Sequence, residues 1–528
     1  MPSRDQLIRI HKKILEGIQA EARAYMGRKT PALEKYYKDY EKDFKKMGKI
    51  SSKPELIQDI LRSHIVYSGD YHTFIQAQKI PLRILREVIK RKKKIMIGVE
   101  MMMSEHQQLL DEFLNGNVTE SEFLEDIHYE RHWGFQWQHF KPLFDFAKTQ
   151  SLRILALNCR PNPQIHTGLA ELVFRDRWAA QLIAKASQEN PDTLLYVIFG
   201  DLHLAQSHLP LEVALFLKEQ NIKRNTLTIH QNNEKLYWQL VKRKLEDRVD
   251  IVKLEPHIYG IANAAPWLKL LSYIHWIEKP EQYDQIYEII KIVAHFFKRP
   301  LKGLSDYHVY TAEQEKVIGV ITAYVQDHPA WARYVKAVLK HAESYFIPRE
   351  NIIYLKTLSI NHAAEEATIF MYCHAGGVTR FPVSPEEIFY QNLYLKCLGF
   401  LGSKMMNPKR RCEKEADFEG RKQDPAAKLV LVFLKREKQY LRGFKFNATL
   451  PQIVRLSPKH SYEVSKCLGY LLGEKLYLAL KLNRLSLKDV CKLFEIKLNS
   501  YVAIEQYLYW LRKLEGIRVQ YQEKKDRL

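Results

Sequence analysis

The sequence predicts an α/β fold: a mainly parallel sheet domain covered by helices at residues 59–255, preceded by a helical extension at 1–58 and followed by a large all-α region. Three observations predict it. Between about 60 and 255, β-branched runs alternate with amphipathic helical stretches, and the runs are almost continuously apolar, as strands covered on both faces are. Two of those runs, "HIVYSGDYHT" (64–73) and "YVIFGDLHLA" (196–205), end on the same signature, Gly-Asp-x-His. Beyond about 257 the strand-like pattern nearly disappears, and long amphipathic segments such as "EQEKVIGVITAYVQDH" follow.

Near the N-terminus, "TPALEKYYKDYEKDFKKMG" offers Thr30 as a helix N-cap and Pro31 at the first helical position. Its stripe of Tyr36, Tyr37, Tyr40 and Phe44 predicts a face docked onto a neighbouring domain. The expected strands are 65–68, 94–100, 152–158, 193–200 and 226–230. Between them, Ser104 is placed to cap a helix that stops at Gly116, and Thr119 with Glu122 forms a capping box for the next. "KLYWQLVKRKLEDRVDIVKLE" fits either edge strands or a final helix. A helical domain is expected at 256–403, an exposed polar linker at 404–428 and a last helical unit at 429–528.

The 528 residues carry a net charge of +21, which suggests an anionic partner: nucleic acid, an acidic membrane surface or an anionic small molecule. The basic residues are dispersed and no Arg/aromatic nucleic-acid motif is present, so solvated helix faces explain most of the charge and nucleic acid is not an expected partner. The six cysteines form no CxxC pair, which fits a reducing compartment. The N-terminal stretch is amphipathic and charged, without the apolar core of a secretion signal or a lipobox-like cysteine, and no membrane span is read; a cytoplasmic location is the expectation.

In an open parallel sheet, ligands sit beyond the carboxyl ends of the strands. Both Gly-Asp-x-His motifs lie at such ends, and Gly69 and Gly200 would let the backbone turn and approach a ligand closely. The strand "IMIGVE" delivers Glu100 to the same rim and another delivers Asn158, so His72, His203, Glu100, Asp70, Asp201 and Asn158 are candidates for one site. Two histidines and a carboxylate suit a divalent ion such as Zn, Fe, Co or Mn, with Asp70 and Asp201 as ligands or as acceptors behind the histidines. A metal with an open position can activate water; without metal, a histidine beside a glutamate can act as a general base.

At these residues the sequence resembles the ChaN-like haem-binding family of the Tiki superfamily, which also takes in TraB-like proteins and erythromycin esterases. The superfamily's two Gly-x-x-His motifs and its glutamate at the end of the second strand match Gly69–His72, Gly200–His203 and Glu100. "IGVEMMMSEHQQLLDEFLNGNVTESEFLE" and "WGFQWQHFKPLFDFAKTQSLRILALN" are similar to further family blocks. "RDRWAAQLIA" (175–184) resembles the family's Arg-Asp-x-x-Met-Ala helix, with Ala179 in place of methionine. The resemblance covers about residues 60–235. It implies haem as cofactor or ligand, or, by the superfamily's other branches, a metal-dependent protease or esterase using His72, His203 and Glu100. The missing export signal departs from the lipoproteins of the family.

For haem, Trp133, Phe135, Trp137 and Phe140 could form an apolar wall, with Tyr71 or His72 reaching iron and Arg175 contacting an anionic group. His128 and His132 would share a face on a helix, although ordinary helix-to-sheet packing also explains this block. Outside the resemblance, His362 shares a helix face with Glu365 and Glu366, which reads as helix-stabilising pairing or half of a metal site. The basic "NPKRRCEK" reads as solvated charge. The leading expectation is a haem- or metal-binding protein, with a metal-dependent hydrolase on the same residues, or an interaction protein acting through its helical half, as alternatives.

Overall fold

The computed structural model describes the chain except residues 1, 28–30, 92–93, 162–164, 166–167, 279–284, 301, 313, 315, 358, 379, 448–452, 454 and 520–527. Thr30 therefore lies outside the described residues. The chain forms two compact units, Ile18–Lys279 with Gln522–Leu528, and Met1–Gly17 with Pro280–Tyr521.

The first unit is built on an eight-stranded sheet. Its strands are β1 (Lys49–Ile50), β2 (Ile65–Asp70), β3 (Ile95–Met103), β4 (Arg153–Asn158), β5 (Leu194–Gly200), β6 (Thr226–Gln231), β7 (Ile251–Glu255) and β8 (Ile258–Ile261). Their order is β1-β7-β8-β6-β2-β5-β3-β4. The pairings from β8 to β4 are parallel; β7 and β1 close one edge antiparallel. The undecided segment resolves into both alternatives, a helix at Glu234–Lys242 and then β7.

The alternation along β2 shows why the sheet needs cover on both sides. Val66 joins a core formed with helices Ile75–Val88, Gln107–Asn115 and Trp137–Thr149, while Ile65 and Tyr67 join one formed with helices Gly168–Glu189 and Leu209–Glu219. The predicted stop at Gly116 is present in left-handed backbone, and both hydrogen bonds of the Thr119–Glu122 capping box form. Ser104 is not the cap expected. β3 runs on to Met103, so Ser104 opens a short 3-10 turn, and its hydroxyl accepts from Trp178 Nε1 at 3.1 Å. The stripe of Tyr36, Tyr40 and Phe44 is buried within this same unit.

The second unit is mainly helical. Its long helices include Ile360–His374, Pro385–Met406, Pro425–Leu441 and Pro458–Lys481. It also holds a small sheet of β9 (His308–Thr311), β10 (Ser344–Ile347) and β11 (Ile352–Leu355), in the order β10-β11-β9. Runs of four residues are too short to show a period, which is why sequence reasoning passed over them. The stretch around "NPKRRCEK" is not wholly solvated: Lys409 and Arg410 are buried. Lys396 Nζ donates to Glu365 at 2.8 Å and to Glu366 at 2.6 Å, and Arg410 Nη2 donates to the other Glu365 oxygen. Glu365 and Glu366 thus have buried cations as partners, and His362 Nδ1 is buried without a partner among the described residues. No helix among the described residues is long and apolar enough to cross a membrane.

Candidate functional site

β2 and β5 lie side by side at the centre of the sheet, and the chain leaves them toward opposite sides, which makes their carboxyl ends a topological switch point. Their register places Asp70 opposite Gly200, so the two Gly-Asp-x-His motifs are offset by one residue. Neither glycine has positive φ among the described residues; what each provides is room. A Cβ on Gly200 would sit 3.1 Å from Glu100 Oε2, 3.3 Å from His203 Cδ2 and 3.5 Å from His72 Cε1. Both imidazoles and the carboxylate therefore border one small space over β5. A Cβ on Gly69 would fall 1.9 Å from Asp201 Oδ1.

Each histidine is held through Nδ1. His72 Nδ1 donates to Asp70 Oδ2 at 2.8 Å, and Gln78 steadies the other Asp70 oxygen at 2.8 Å. His203 Nδ1 donates to Asp176 Oδ1 at 2.6 Å, and the Tyr36 hydroxyl donates to Asp176 Oδ2 at 2.6 Å. An acceptor on Nδ1 fixes the tautomer and leaves Nε2 as the nitrogen available for chemistry. His72 Nε2 is 3.7 Å from Glu100 Oε2, an ion-pair distance rather than a hydrogen bond. The rings of Trp133 and Phe135 flank His72 at 4.5 and 4.9 Å.

Glu100 is 2 % exposed and accepts from the Gly200 backbone N–H with one oxygen and from Arg175 Nη2 with the other. Burial alone would raise its pKa; His72, Arg175 and His203 outweigh burial and hold it below the ordinary value. Burial opposes the charged form of His72 as well, yet Glu100 and Asp70 raise its pKa.

The other candidates are arranged differently. Asp201 faces away from the histidine pair: Tyr40 donates to one oxygen, the Gln231 backbone N–H donates to the other at 3.1 Å, and His230 Nδ1 lies 3.6 Å away. The Asn158 side chain accepts from the backbone N–H of its neighbour, Cys159, at 3.0 Å. The Tyr71 ring is covered by Lys269 Nζ at 4.6 Å. His128 and His132 bracket a four-residue helix, with ring centroids 6.0 Å apart. Among the described residues, no group of three or more His, Cys, Asp or Glu is arranged to hold a metal ion. The Arg175 cation already neutralises the carboxylate such an ion would need. Sequence reasoning missed Asp176 and Tyr36, although Asp176 stands beside Arg175 in "RDRW" and Tyr36 leads the aromatic stripe.

His230 carries a pH dependence. It is fully buried, with Nε2 3.0 Å from Asp43 Oδ2 and Asp201 on the other side, and the Tyr40 and Phe44 rings pack against it. Burial pulls its pKa down, but Asp201 and Asp43 outweigh this and raise it from 6.5 to about 9. Protonated His230 therefore stabilises the unit fully below pH 6.5, and this is lost as the pH rises through about 9. The effect is on the order of 3 kcal/mol. Urea titrations at about pH 6 and about pH 10 are expected to show a larger loss of stability for the parent protein than for His230→Gln.

Residues 56–165 match the family described as haem-binding uptake, Tiki superfamily, ChaN. A solved structure, "Cofacial heme binding to ChaN of Campylobacter jejuni", aligns at 11% identity with a TM-score of 0.25, covering 34% of this chain and 86% of that one. No curated protein matches. The matched stretch, residues 56–165, carries β2 to β4 with His72 and Glu100, and over it the chain is similar to the family described as haem-binding uptake, Tiki superfamily, ChaN.

Proposed function

We propose that the α/β unit binds haem, with His72 as the residue that holds iron. The observation that carries this reading is the setting of His72 inside the family-matched segment. Its Nδ1 is tied to Asp70, its Nε2 makes no hydrogen bond among the described residues, and its ring is flanked by Trp133 and Phe135. An oriented imidazole, an apolar wall and a nearby guanidinium are what an iron porphyrin with propionates requires. Arg175, whose Nε is buried without a partner among the described residues, supplies the last of these. Asp70 raises the basicity of His72, and Glu100 and His203 border the same space.

Titration of the full chain with haemin is expected to give a Soret band that saturates. His72→Ala should lose it, Asp70→Asn should weaken binding about 10–100-fold, and Tyr71→Phe should leave it unchanged. A Soret band that survives His72→Ala overturns the assignment of iron to His72. Stoichiometric Mn, Co or Zn together with ester or peptide hydrolysis abolished in Glu100→Gln would replace haem binding by the hydrolase reading.

A further inference from the structure

The helical unit contains a cavity of about 650 Å³, whose described lining residues lie between Asp327 and Ser461. Three helices begin at it: Pro329–Leu339, Pro385–Met406 and Pro458–Lys481. Each carries proline in its first turn, where the missing N–H costs nothing. Each start contributes roughly half a positive charge and backbone N–H groups. Ser384 and Ser457 cap two of these starts; His328 supplies no side-chain cap to the third.

Three guanidinium groups share the lining, and they are not equally engaged. Arg380 is paired with Glu387. Arg349 lies 5.1 Å over the Phe381 ring, and neither it nor Arg333 has a carboxylate partner among the described residues. Asp327 is the one acid among the described lining residues. Arg349 sits in the tight turn that joins β10 to β11. The walls are apolar, built from Trp331, Phe381, Ile388 and Ile453. Trp331 is 5% exposed, and its Nε1–H is buried with no acceptor among the described residues.

We infer that this cavity binds a small phosphate monoester with an apolar, ring-sized body. Several helix starts and two guanidinium groups without carboxylate partners suit a dianionic head, and guanidinium is a planar match for phosphate. The aromatic and aliphatic walls suit a body that inorganic phosphate lacks, and the volume is that of an ordinary small-molecule site. This site involves none of the residues proposed for haem, so the two proposals stand or fall separately.

The test is isothermal titration calorimetry of the full chain with 1-naphthyl phosphate, 1-naphthol and inorganic phosphate as probes. One saturable site is expected for the ester, at least tenfold tighter than either fragment and weakening with salt. Arg333 and Arg349 are exposed, so Arg333→Gln/Arg349→Gln should fold normally and bind the ester at least tenfold more weakly. Ile388→Trp, which puts an indole against the apolar wall where the body of the ester would lie, should weaken ester binding at least tenfold while leaving the haemin titration unchanged. Absence of saturable binding, equal binding of naphthol, or undiminished binding by the double glutamine variant overturns the inference.

Discussion

Gly69→Ala is expected to destabilise the α/β unit by about 3 kcal/mol or more, a large effect for one methyl group. The methyl would fall 1.9 Å from Asp201 Oδ1, and Asp201 has nowhere to go. It is 4% exposed and is fixed by the Tyr40 hydroxyl and the Gln231 N–H, with Lys269 Nζ 4.0 Å away. Either the buried carboxylate leaves its donors or β2 shifts away from β5. Gly200→Ala separates fold from site. Its methyl would meet Glu100, His203 and His72 at 3.1–3.5 Å, so the cost to folding should stay under about 1.5 kcal/mol. The methyl would nevertheless stand in the space those three groups border. Urea denaturation of the apo forms beside haemin titration distinguishes the two: Gly69→Ala should lose stability, Gly200→Ala mainly ligand affinity. Equal and small stability losses in both variants would show that the twin glycines are interchangeable and that Asp201 is not pinned.

Lys396→Met is expected to cost about 3–5 kcal/mol, because it removes a cation shared by two buried carboxylates. Glu365 and Glu366 are both fully buried. Burial would raise the pKa of Glu365, but Lys396 and then Arg410 override it and hold the carboxyl well below the ordinary range. Burial, with the neighbouring Glu365 charge adding to it, raises that of Glu366, which therefore keeps its proton more readily. Since Glu365 is depressed, its stabilisation is present above the ordinary carboxylate range and is lost as the pH falls through its folded value. Guanidinium titration of the variant should show the loss, and Glu365→Leu/Glu366→Leu/Lys396→Met/Arg410→Met should recover most of it, since replacing both carboxylates together with both of their cations leaves no charge of the cluster unpaired. A single variant as stable as the parent would mean that water reaches the cluster.

The central strands were legible because parallel strands covered on both faces are almost continuously apolar, and each of the five runs expected from sequence starts within one residue of β2, β3, β4, β5 or β6. The short β8 and the small second sheet were not, since four residues are too few to carry a period. Residue types at strand ends suggested that His72, His203 and Glu100 belong together, and they border one space. The same reasoning placed Asp201 with them, but a carboxylate turns toward whichever donors are nearest, here Tyr40 and Gln231. Asp176 was missed because its partnership with His203 depends on packing of the Gly168–Glu189 helix, which no local pattern encodes. Burial of Arg410 was hidden for a related reason: its anion, Glu365, lies 45 positions earlier in the chain.

The family-matched stretch includes β2, β3 and β4, yet β2 and β3 never touch; β5, which lies after the match ends, fills the gap between them. A ribosome that has released residues up to 165 has delivered two separate pieces of a sheet, each with a bare inner edge. Only the arrival of residues 194–200 joins them, and that same strand brings the second histidine. Joining of the two pieces and the gathering of His203 beside His72 and Glu100 are therefore one event, so the long-range pairing that completes the sheet also completes the space those three side chains border.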